Sequence, residues 1–333
     1  MTLILDRRLS LGIQTIHRRS EPVGARWEPR IDEMVALVAL VDRSGYDSLW
    51  VGDHISFAVP ILDPLLQLAQ AAVVSRRLTL GTCVYLLPLR HPVPVAKQVG
   101  TLDHLTEGRL IFGVGLGGEF PKEYEACGVP HAERGARMAE AVPLLRALWS
   151  GDAVSHAGRF YGPFAEVPMR PPARQPGGPP IWFAGRSPAA LRRCGRLGDG
   201  FLSYVVTPEM FAAALRDIDA AAEAAGRAAV PFGTGHLLFT RLDATREAAL
   251  EAAAATLSVR YGMDFRKAAA RYCALGPAAE VAATIRAFHA AGMRHVVLDL
   301  LGPYEERARQ IAQFAAEVLP LLRDLTHPPA AGD

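Results

Sequence analysis

The sequence predicts an α/β protein of the (β/α)8 or TIM-barrel class, with an insertion after the fourth βα unit. Two observations favour this fold class. Strands alternate with helices four times in about the first 115 residues, and parallel strands need such helical crossovers. Eight βα units can then be counted along the 333 residues, a number typical of a barrel. A doubly wound parallel sheet is the main alternative.

The first four units are short apolar runs that alternate with helical stripes of apolar residues. Their predicted strands are Leu9–Ile16, Tyr46–Val51, Leu78–Leu87 and Arg109–Gly115. The helices between them are Pro29–Arg43, Asp63–Val74 and Pro92–Leu105. Asp63 is a residue type that caps helices, and Pro64 suits the first helical turn. This half of the chain therefore follows the barrel pattern closely.

The pattern pauses after the fourth strand. Helix Arg134–Trp149 is followed by a Pro- and Gly-rich stretch, which we interpret as an insertion at about residues 150–180 of a single domain covering residues 1–333. The remaining strands are predicted at Pro180–Ala184, Asp199–Val205, Phe232–Thr240 and His295–Leu300. The remaining helices are predicted to begin at Ser187 and to cover Pro208–Ala225, Ala244–Leu257, Ala278–Ala291 and Glu305–Leu322. The segment Tyr261–Leu275 is expected to be irregular or helical.

Composition and charge exclude several classes of function. With 36 basic and 34 acidic residues, there is no general reason to expect nucleic-acid or membrane binding. The four cysteines form no CxxC pair, which indicates a reducing cytoplasm. Asp6, Arg7 and Arg8 interrupt the N-terminus, so no signal peptide is expected. No uncharged apolar run approaches the roughly 20 residues of a membrane span.

A glycine-rich loop follows the fourth predicted strand. The run Gly113–Gly118 matches GxGxxG, which alone is weak evidence for a dinucleotide site. A dinucleotide-binding unit would also need an acidic residue at the end of a following strand, and here a long helix occupies that region. The glycines either permit a tight turn or allow backbone contact with a ligand. Because this loop lies on the catalytic face of a barrel, we favour the second interpretation.

The pair Asp53-His54 follows the second predicted strand. A histidine at that position can donate or accept a proton near neutral pH. The alternative is that the two side chains only brace the loop. The other histidines show no HxH or HExxH spacing, so the sequence predicts no metal site.

Two further strand ends carry candidate residues. Thr82-Cys83-Val84 is predicted to end the third strand, and its apolar surroundings favour a packing or backbone role for Cys83 over a nucleophilic one. Gly185-Arg186-Ser187 precedes a helix. Free amides, a hydroxyl and a guanidinium at a helix start suit a phosphate group, although Ser187 also suits an ordinary cap.

Aromatic residues stand close to several strand ends. They are either the lining of an apolar pocket or part of the core. These residues are Trp50, Phe57, Tyr85 and Trp182.

A series of short motifs runs through the first two thirds of the chain. They are Leu87–Pro92, Ala96–Gln98, Thr101–Arg109, Gly113–Gly115, Glu119, Glu123-Tyr124, Gly128, Arg134-Gly135, Leu148-Trp149, Pro179–Ile181, Gly185 and Gly198–Gly200. In their order and spacing these motifs resemble the bacterial luciferase-like monooxygenase superfamily, and most closely its F420-dependent oxidoreductase branch. The likeness covers roughly residues 30–205.

This resemblance implies a barrel that binds reduced FMN or the deazaflavin F420 at the carboxyl ends of its strands. In such proteins a non-proline cis peptide bond often ends strand three and supports the isoalloxazine ring, and Cys83-Val84 matches that position. Asp53-His54 matches an Asp-His pair that lies against the ring. The loops matching Gly115, Leu116, Gly117 and Gly118, and Ala184 to Ser187, hold the ribityl-phosphate arm in these relatives.

The sequence departs from the sugar-phosphate dehydrogenases of the F420 branch. Those enzymes carry a glutamate directly after the glycine run, where this chain has Gly118, with Glu119 one residue later. No clear counterpart to their lysines for the substrate phosphate is present. A sugar phosphate is therefore not the expected substrate.

The resulting hypothesis is a flavin-type oxidoreductase that acts on a small organic molecule. His54 is the candidate proton donor or acceptor beside the ring, and Glu119 is a second acid/base candidate. F420 implies hydride transfer. FMN implies oxygenation with reduced flavin from a separate reductase. One alternative is a non-catalytic flavin-binding barrel. Another is a metal-dependent hydrolase, which the missing metal-ligand spacing disfavours. Family likeness also favours a homodimer.

Overall fold

Eight parallel strands close into a barrel in the computed structural model, which describes residues 3–15, 28–57, 60–227 and 229–327. We number these barrel strands in chain order. They are β1 Ser10–Thr15, β2 Ser48–Val51, β3 Thr79–Thr82, β4 Leu110–Val114, β5 Ile181–Ala184, β6 Gly200–Tyr204, β7 Gly233–Leu242 and β8 His295–Leu300. Each strand pairs in parallel with the next, and β8 pairs with β1. Closure confirms the barrel and excludes the open doubly wound sheet.

Helices surround the barrel and bury their apolar faces against the strands. Their bounds are Ile31–Arg43, Pro64–Val74, Pro92–Leu105, Pro121–Ala126, Arg134–Trp149, Pro188–Leu197, Pro208–Ala224, Arg246–Tyr261, Arg266–Tyr272, Ala278–Ala290, Arg307–Glu317 and Arg323–Thr326. The predicted cap is present, because the Asp63 side chain accepts from the amides of Leu65 and Leu66. In the described residues, no helix is long and apolar enough to cross a membrane.

The barrel interior is filled by two tryptophans below its carboxyl end. The rings of Trp50 and Trp182 are tilted against each other with centroids 5.6 Å apart. A side chain at Gly12 or Gly81 would overlap Trp50, and one at Gly200 would overlap Trp182. Glycines on the inner face of the strands therefore make room for the two large rings.

Three predicted elements differ from the structure. The third strand ends at Thr82, not at Leu87, because the chain leaves the barrel there and turns through a 3-10 helix at Leu87–Leu89. The closing helix ends at Glu317, not at Leu322, because Pro320 cannot continue the α-helical hydrogen bonds and the chain turns through the 3-10 helix Leu319–Leu322. A short strand, Ala274–Gly276, adds to β7 in the segment expected to be irregular or helical.

The insertion between the helix Arg134–Trp149 and β5 is a β-hairpin and not a bare loop. Its strands Ala153–His156 and Phe164–Pro168 are antiparallel. The Glu140 carboxylate accepts from the amides of residues 159, 160 and 161 at the hairpin turn. The hairpin is only half-buried, so its sequence lacks the apolar alternation by which strands are recognised.

Candidate active site

A cavity of about 460 Å³ opens at the carboxyl ends of the barrel strands, and all eight strands or the loops after them contribute to it. Its volume lies in the usual range for small-molecule and cofactor sites. All but two of the predicted site residues line the cavity. Those that do are Asp53, His54, Cys83, Val84, Gly115, Leu116, Gly117, Glu119, Ala184, Gly185, Arg186 and Ser187.

The two exceptions lie behind the cavity wall. Thr82 is buried, and its hydroxyl donates to the carbonyl oxygen of Gly113 at 2.7 Å. Gly118 has a φ of +115°, and a Cβ there would lie 2.8 Å from Nε2 of His131. Thr82 therefore ties β3 to β4, and Gly118 permits the turn of the glycine loop without facing the cavity.

The peptide bond between Cys83 and Val84 is cis, as the resemblance implies. It lies directly after β3 and projects into the cavity. Nε2 of Gln14 donates to the Cys83 carbonyl oxygen at 3.2 Å, whereas Oε1 of Gln14 is buried and has no partner in the described residues. Gly115 faces this bulge, and a Cβ there would overlap the Val84 side chain. Gly115 thus keeps the space above the bulge open.

The glycine loop is held from the outside by a tyrosine. Gly117 has a φ of +62°, which favours glycine. The hydroxyl of Tyr124 donates to the Leu116 carbonyl oxygen. Tyr124 stands on the helix Pro121–Ala126, so this short helix supports the loop that forms one wall of the cavity.

His54 is held by a glutamate from that same helix. Nδ1 of His54 lies 2.9 Å from Oε2 of Glu123, whose side chain is 1% exposed. Oε1 of Glu123 accepts from the amides of Ile55 and Ser56 at 2.6 and 3.1 Å. The ring of Phe57 is stacked on His54 with a centroid distance of 3.9 Å. The imidazole therefore has a defined orientation at the cavity edge.

Asp53 has a different environment from its neighbour. Nη1 and Nη2 of Arg90 donate to its two carboxylate oxygens at 2.5 and 2.8 Å, and the amide of Leu86 donates to Oδ2 at 2.8 Å. Burial raises the pKa of Asp53, and the bonds from Arg90 and Leu86 oppose that shift. Asp53 therefore braces the loop that carries His54.

Glu119 borders the outer part of the cavity. Its Oε1 accepts from the hydroxyl of Tyr204 at 2.8 Å. Burial, and then the nearby Glu119 carboxylate, raise the pKa of Tyr204 above its ordinary value, so the phenol keeps its proton. The guanidinium of Arg186 lies over the Tyr204 ring at 5.0 Å. These three side chains form one contact group at the mouth.

Two arginines bring positive charge to the cavity. Arg134 comes from the start of the helix Arg134–Trp149, and Arg186 precedes the helix Pro188–Leu197. Ser187 caps the latter helix by accepting from the Ala190 amide at 3.3 Å, so the ordinary cap predicted for it is present. A helix start with two guanidinium groups nearby attracts an anion.

The far wall contains an ion pair that the sequence analysis missed. Nη1 of Arg260 lies 2.6 Å from Oδ2 of Asp299, and the two side chains are 4% and 2% exposed. Asp299 is the penultimate residue of β8 and lines the cavity, as do Phe239 and Tyr261. Arg260 stands 39 residues earlier on the helix Arg246–Tyr261, and no local sequence pattern links the two.

The four aromatic residues predicted near strand ends do not line the cavity, whereas Tyr204, Phe239 and Tyr261 do. Trp50 and Trp182 fill the barrel interior, and Tyr85 is buried with Arg90 over its ring at 4.2 Å. The ring of Phe57 stacks on that of His54. Within the described ranges, no group of three or more His, Cys, Asp and Glu side chains is placed to hold a metal ion.

Comparisons with known proteins agree with this geometry. The family model described as luciferase-like monooxygenase matches residues 10–317. An F420-dependent glucose-6-phosphate dehydrogenase of Kineococcus radiotolerans is 30% identical over 315 residues, which cover 85% of this chain and 90% of that protein. The solved structure of monooxygenase RslO1 from Streptomyces bottropensis has 26% identity and a TM-score of 0.79, with 94% of this chain and 99% of that chain covered.

A further relative matches over a shorter stretch. The oxygenase component of a flavin-dependent trigonelline monooxygenase of Acinetobacter baylyi is 33% identical over 160 residues, or 47% of this chain. This chain spans only 44% of that relative's length. The similarity to this relative therefore covers less than half of either protein.

Proposed function

The chain belongs to the luciferase-like monooxygenase family, and from this premise we propose that it is an oxidoreductase that binds F420 and transfers a hydride to or from a small organic substrate. The observation that carries the proposal is the open cavity at the carboxyl ends of the strands, which is bordered by His54, by Cys83-Val84 and by the glycine loop. F420 supplies the hydride chemistry, and the protein supplies position and exclusion of water.

The residues present fit a flat, partly apolar ring. Val84 and Leu202 border the cavity with apolar side chains, and Gly115 leaves space above the bulge. Oε1 of Gln14, which has no hydrogen-bond partner among the residues that the structure describes, offers an acceptor to a ring N–H or O–H. Such a platform with a few polar groups is typical of cofactor sites.

The anionic arm of the cofactor is proposed to lie between Arg134 and Arg186. Both guanidinium groups border the cavity, and the backbone from Ala184 to Ser187 leads into a helix start. Gly117 and Leu116 approach from the opposite loop. Guanidinium groups bind phosphate through charge-assisted hydrogen bonds.

His54 is proposed to exchange a proton with the bound ligand. Its Nδ1 is engaged with Glu123, so Nε2 is the nitrogen left for the ligand. Glu119 lies at the mouth with Tyr204 and is the second acid/base candidate.

The proposed substrate carries no phosphate group. Among the described residues that line the cavity, Arg134 and Arg186 are the only arginines and no lysine is present. If both serve the cofactor arm, no cation is left for a substrate phosphate. Arg260 behind the wall is already paired with Asp299. The relative from Kineococcus radiotolerans, in contrast, is named for a phosphorylated substrate, glucose 6-phosphate.

The cofactor assignment is tested by titrating the purified protein with F420 and, separately, with FMN while fluorescence is recorded. We expect submicromolar binding of F420 and much weaker binding of FMN. Saturable binding of FMN alone would replace F420 by FMN. Binding of neither would overturn the proposal.

A second candidate function is oxygenation with reduced FMN. It is favoured by the similarity to monooxygenase RslO1, which extends over 94% of this chain. In that case a separate reductase would supply reduced flavin. Oxygen uptake with chemically reduced FMN, above the uptake of the free flavin, would favour this function over hydride transfer.

We also propose a homodimer that works in the cytoplasm. Leu66 and Val73 lie seven positions apart on the helix Pro64–Val74 and are 74% and 76% exposed, so they share one face. An exposed apolar face of this kind supports a subunit contact. Light scattering is expected to give the mass of two chains, and Leu66→Glu with Val73→Glu should give one.

The free cysteines support a reducing compartment.

A further inference from the structure

We propose that Glu123 is a positioning residue that keeps the proton of neutral His54 on Nδ1 and thereby presents Nε2 to the ligand as a proton acceptor. The inference rests on the proposed function, because it assigns the direction in which His54 works in that site. It concerns a residue on the short helix Pro121–Ala126, which follows the glycine loop.

The carboxylate of Glu123 is enclosed by hydrogen-bond donors. Oε1 accepts from the backbone amides of Ile55 and Ser56, and Oε2 lies 2.9 Å from Nδ1 of His54. The Glu123 side chain is 1% exposed, whereas the His54 side chain is 18% exposed. The glutamate is therefore a fixed part of the wall, and only the histidine reaches the cavity.

A carboxylate can only accept hydrogen bonds. Nδ1 of His54 must therefore carry the hydrogen in this pair. In the neutral ring Nε2 then has a lone pair and no proton. A hydrogen bond at one ring nitrogen commonly decides which of the two nitrogens carries the proton.

Phe57 and the loop amides make this arrangement rigid. The Phe57 ring stacks on His54 with an interplanar angle of 7°, which opposes rotation of the imidazole. The amides of Ile55 and Ser56 hold Glu123 from the same loop that carries His54. The loop and the short helix Pro121–Ala126 therefore orient the imidazole together.

The consequence is a proton transfer from ligand to protein. The O–H bond of a bound hydroxyl breaks, its electron pair stays on the oxygen, and the proton adds to Nε2. The imidazolium that forms lies beside the Glu123 carboxylate, which stabilises the positive charge. In the opposite direction the same imidazolium returns the proton from Nε2.

The test is nitrogen NMR of the protein labelled with 15N-histidine, without added cofactor. The His54 signals are those that disappear in His54→Asn. At a pH so high that a further increase leaves the His54 signals unchanged, we expect wild-type His54 to show a protonated Nδ1 and an unprotonated Nε2. Wild-type His54 with its proton on Nε2 would overturn the inference, whatever the folding of any variant.

A matched pair of variants tests the cause. In Glu123→Gln the carboxamide oxygen can still accept hydrogen bonds from the backbone amides of Ile55 and Ser56. Its NH2 group would then donate to Nδ1 of His54, so the imidazole proton should move to Nε2. Glu125→Gln alters an exposed glutamate of the same helix and should leave the tautomer unchanged. An unchanged tautomer in a folded Glu123→Gln would overturn the role of Glu123. Because the tautomer is read without cofactor, this test and the F420 titration can fail independently.

Discussion

Arg90 donates through both terminal nitrogens to the Asp53 carboxylate, and this pair supports the loop that carries His54. The Asp53 side chain is fully buried and that of Arg90 is 16% exposed. Breaking a buried ion pair by removing one partner leaves an uncompensated charge. The buried pair therefore stabilises the loop that positions His54.

Arg90→Met is expected to lower the free energy of unfolding by about 3–5 kcal/mol at neutral pH. Burial raises the pKa of Asp53, and without Arg90 the folded chain takes up a proton there more readily than the unfolded chain. Lowering the pH should therefore recover part of the loss. Urea unfolding at pH 7 and pH 5 measures both effects.

The control for this change is Arg76→Met. Arg76 pairs with Glu107, and the two side chains are 69% and 63% exposed. Exposed pairs contribute about 0–1 kcal/mol, so the variant should be nearly as stable as the wild type. Equal losses in both variants would contradict the role assigned to the Asp53–Arg90 pair.

Gly81→Ala is expected to destabilise the barrel. Its Cβ would overlap the Trp50 ring inside the barrel, and overpacking of this kind costs about 1–3 kcal/mol. Gly100→Ala is the matched control, because its Cβ would lie 3.6 Å from Cδ1 of Trp149, an ordinary contact, within the helix Pro92–Leu105. That variant should gain up to about 1 kcal/mol. Thermal unfolding of both compares the two positions, and a stable Gly81→Ala would show that Trp50 can move.

The sequence predicts the barrel well because its signals are local. Helical stripes and the cap at Asp63 depend on neighbouring residues, and the structure confirms them. The cis bond at Cys83-Val84 is predicted by the resemblance to a family and not by local signals, and it is also present.

The rest of the site could not be predicted because its contacts join distant residues. Glu123 reaches His54 across 69 positions, and Arg260 reaches Asp299 across 39. Each residue alone is an ordinary charged side chain on a helix or at a strand end. Only closure of the barrel brings the partners together, so no periodicity or spacing identifies them.

Arg186→Met is expected to weaken cofactor binding by roughly 10- to 100-fold, since a hydrogen bond to a charged group contributes about 1.5–3 kcal/mol. Fluorescence titration with F420 at low and high salt measures the loss. Its salt dependence should be smaller than that of the wild type, because one charge is missing. Arg192→Met, at an exposed position of the following helix, should bind like the wild type. If Arg186→Met and Arg192→Met bound F420 equally well, Arg186 would not bind the anionic arm of the cofactor.

Acid sensitivity is expected to come from two buried histidines. Burial lowers the pKa of His236 to about 3 and that of His295 to about 4. Nδ1 of His236 lies 2.7 Å from Oγ of Ser203, and its ring stacks on Phe288. Nε2 of His295 lies 2.7 Å from Oγ of Ser48. Both rings are thus neutral parts of the core.

His236→Leu should therefore lose less stability than the wild type between pH 7 and pH 5. An unfolded chain protonates histidine below about pH 6.5, whereas the native His236 stays neutral. Native stability falls as the pH drops through this window, by about 2 kcal/mol per buried histidine at pH 5. The variant removes one such contribution, although it is less stable at pH 7 because Ser203 loses its partner. Urea unfolding at both pH values gives the difference, and an unchanged pH dependence in His236→Leu would mean that another group controls acid unfolding.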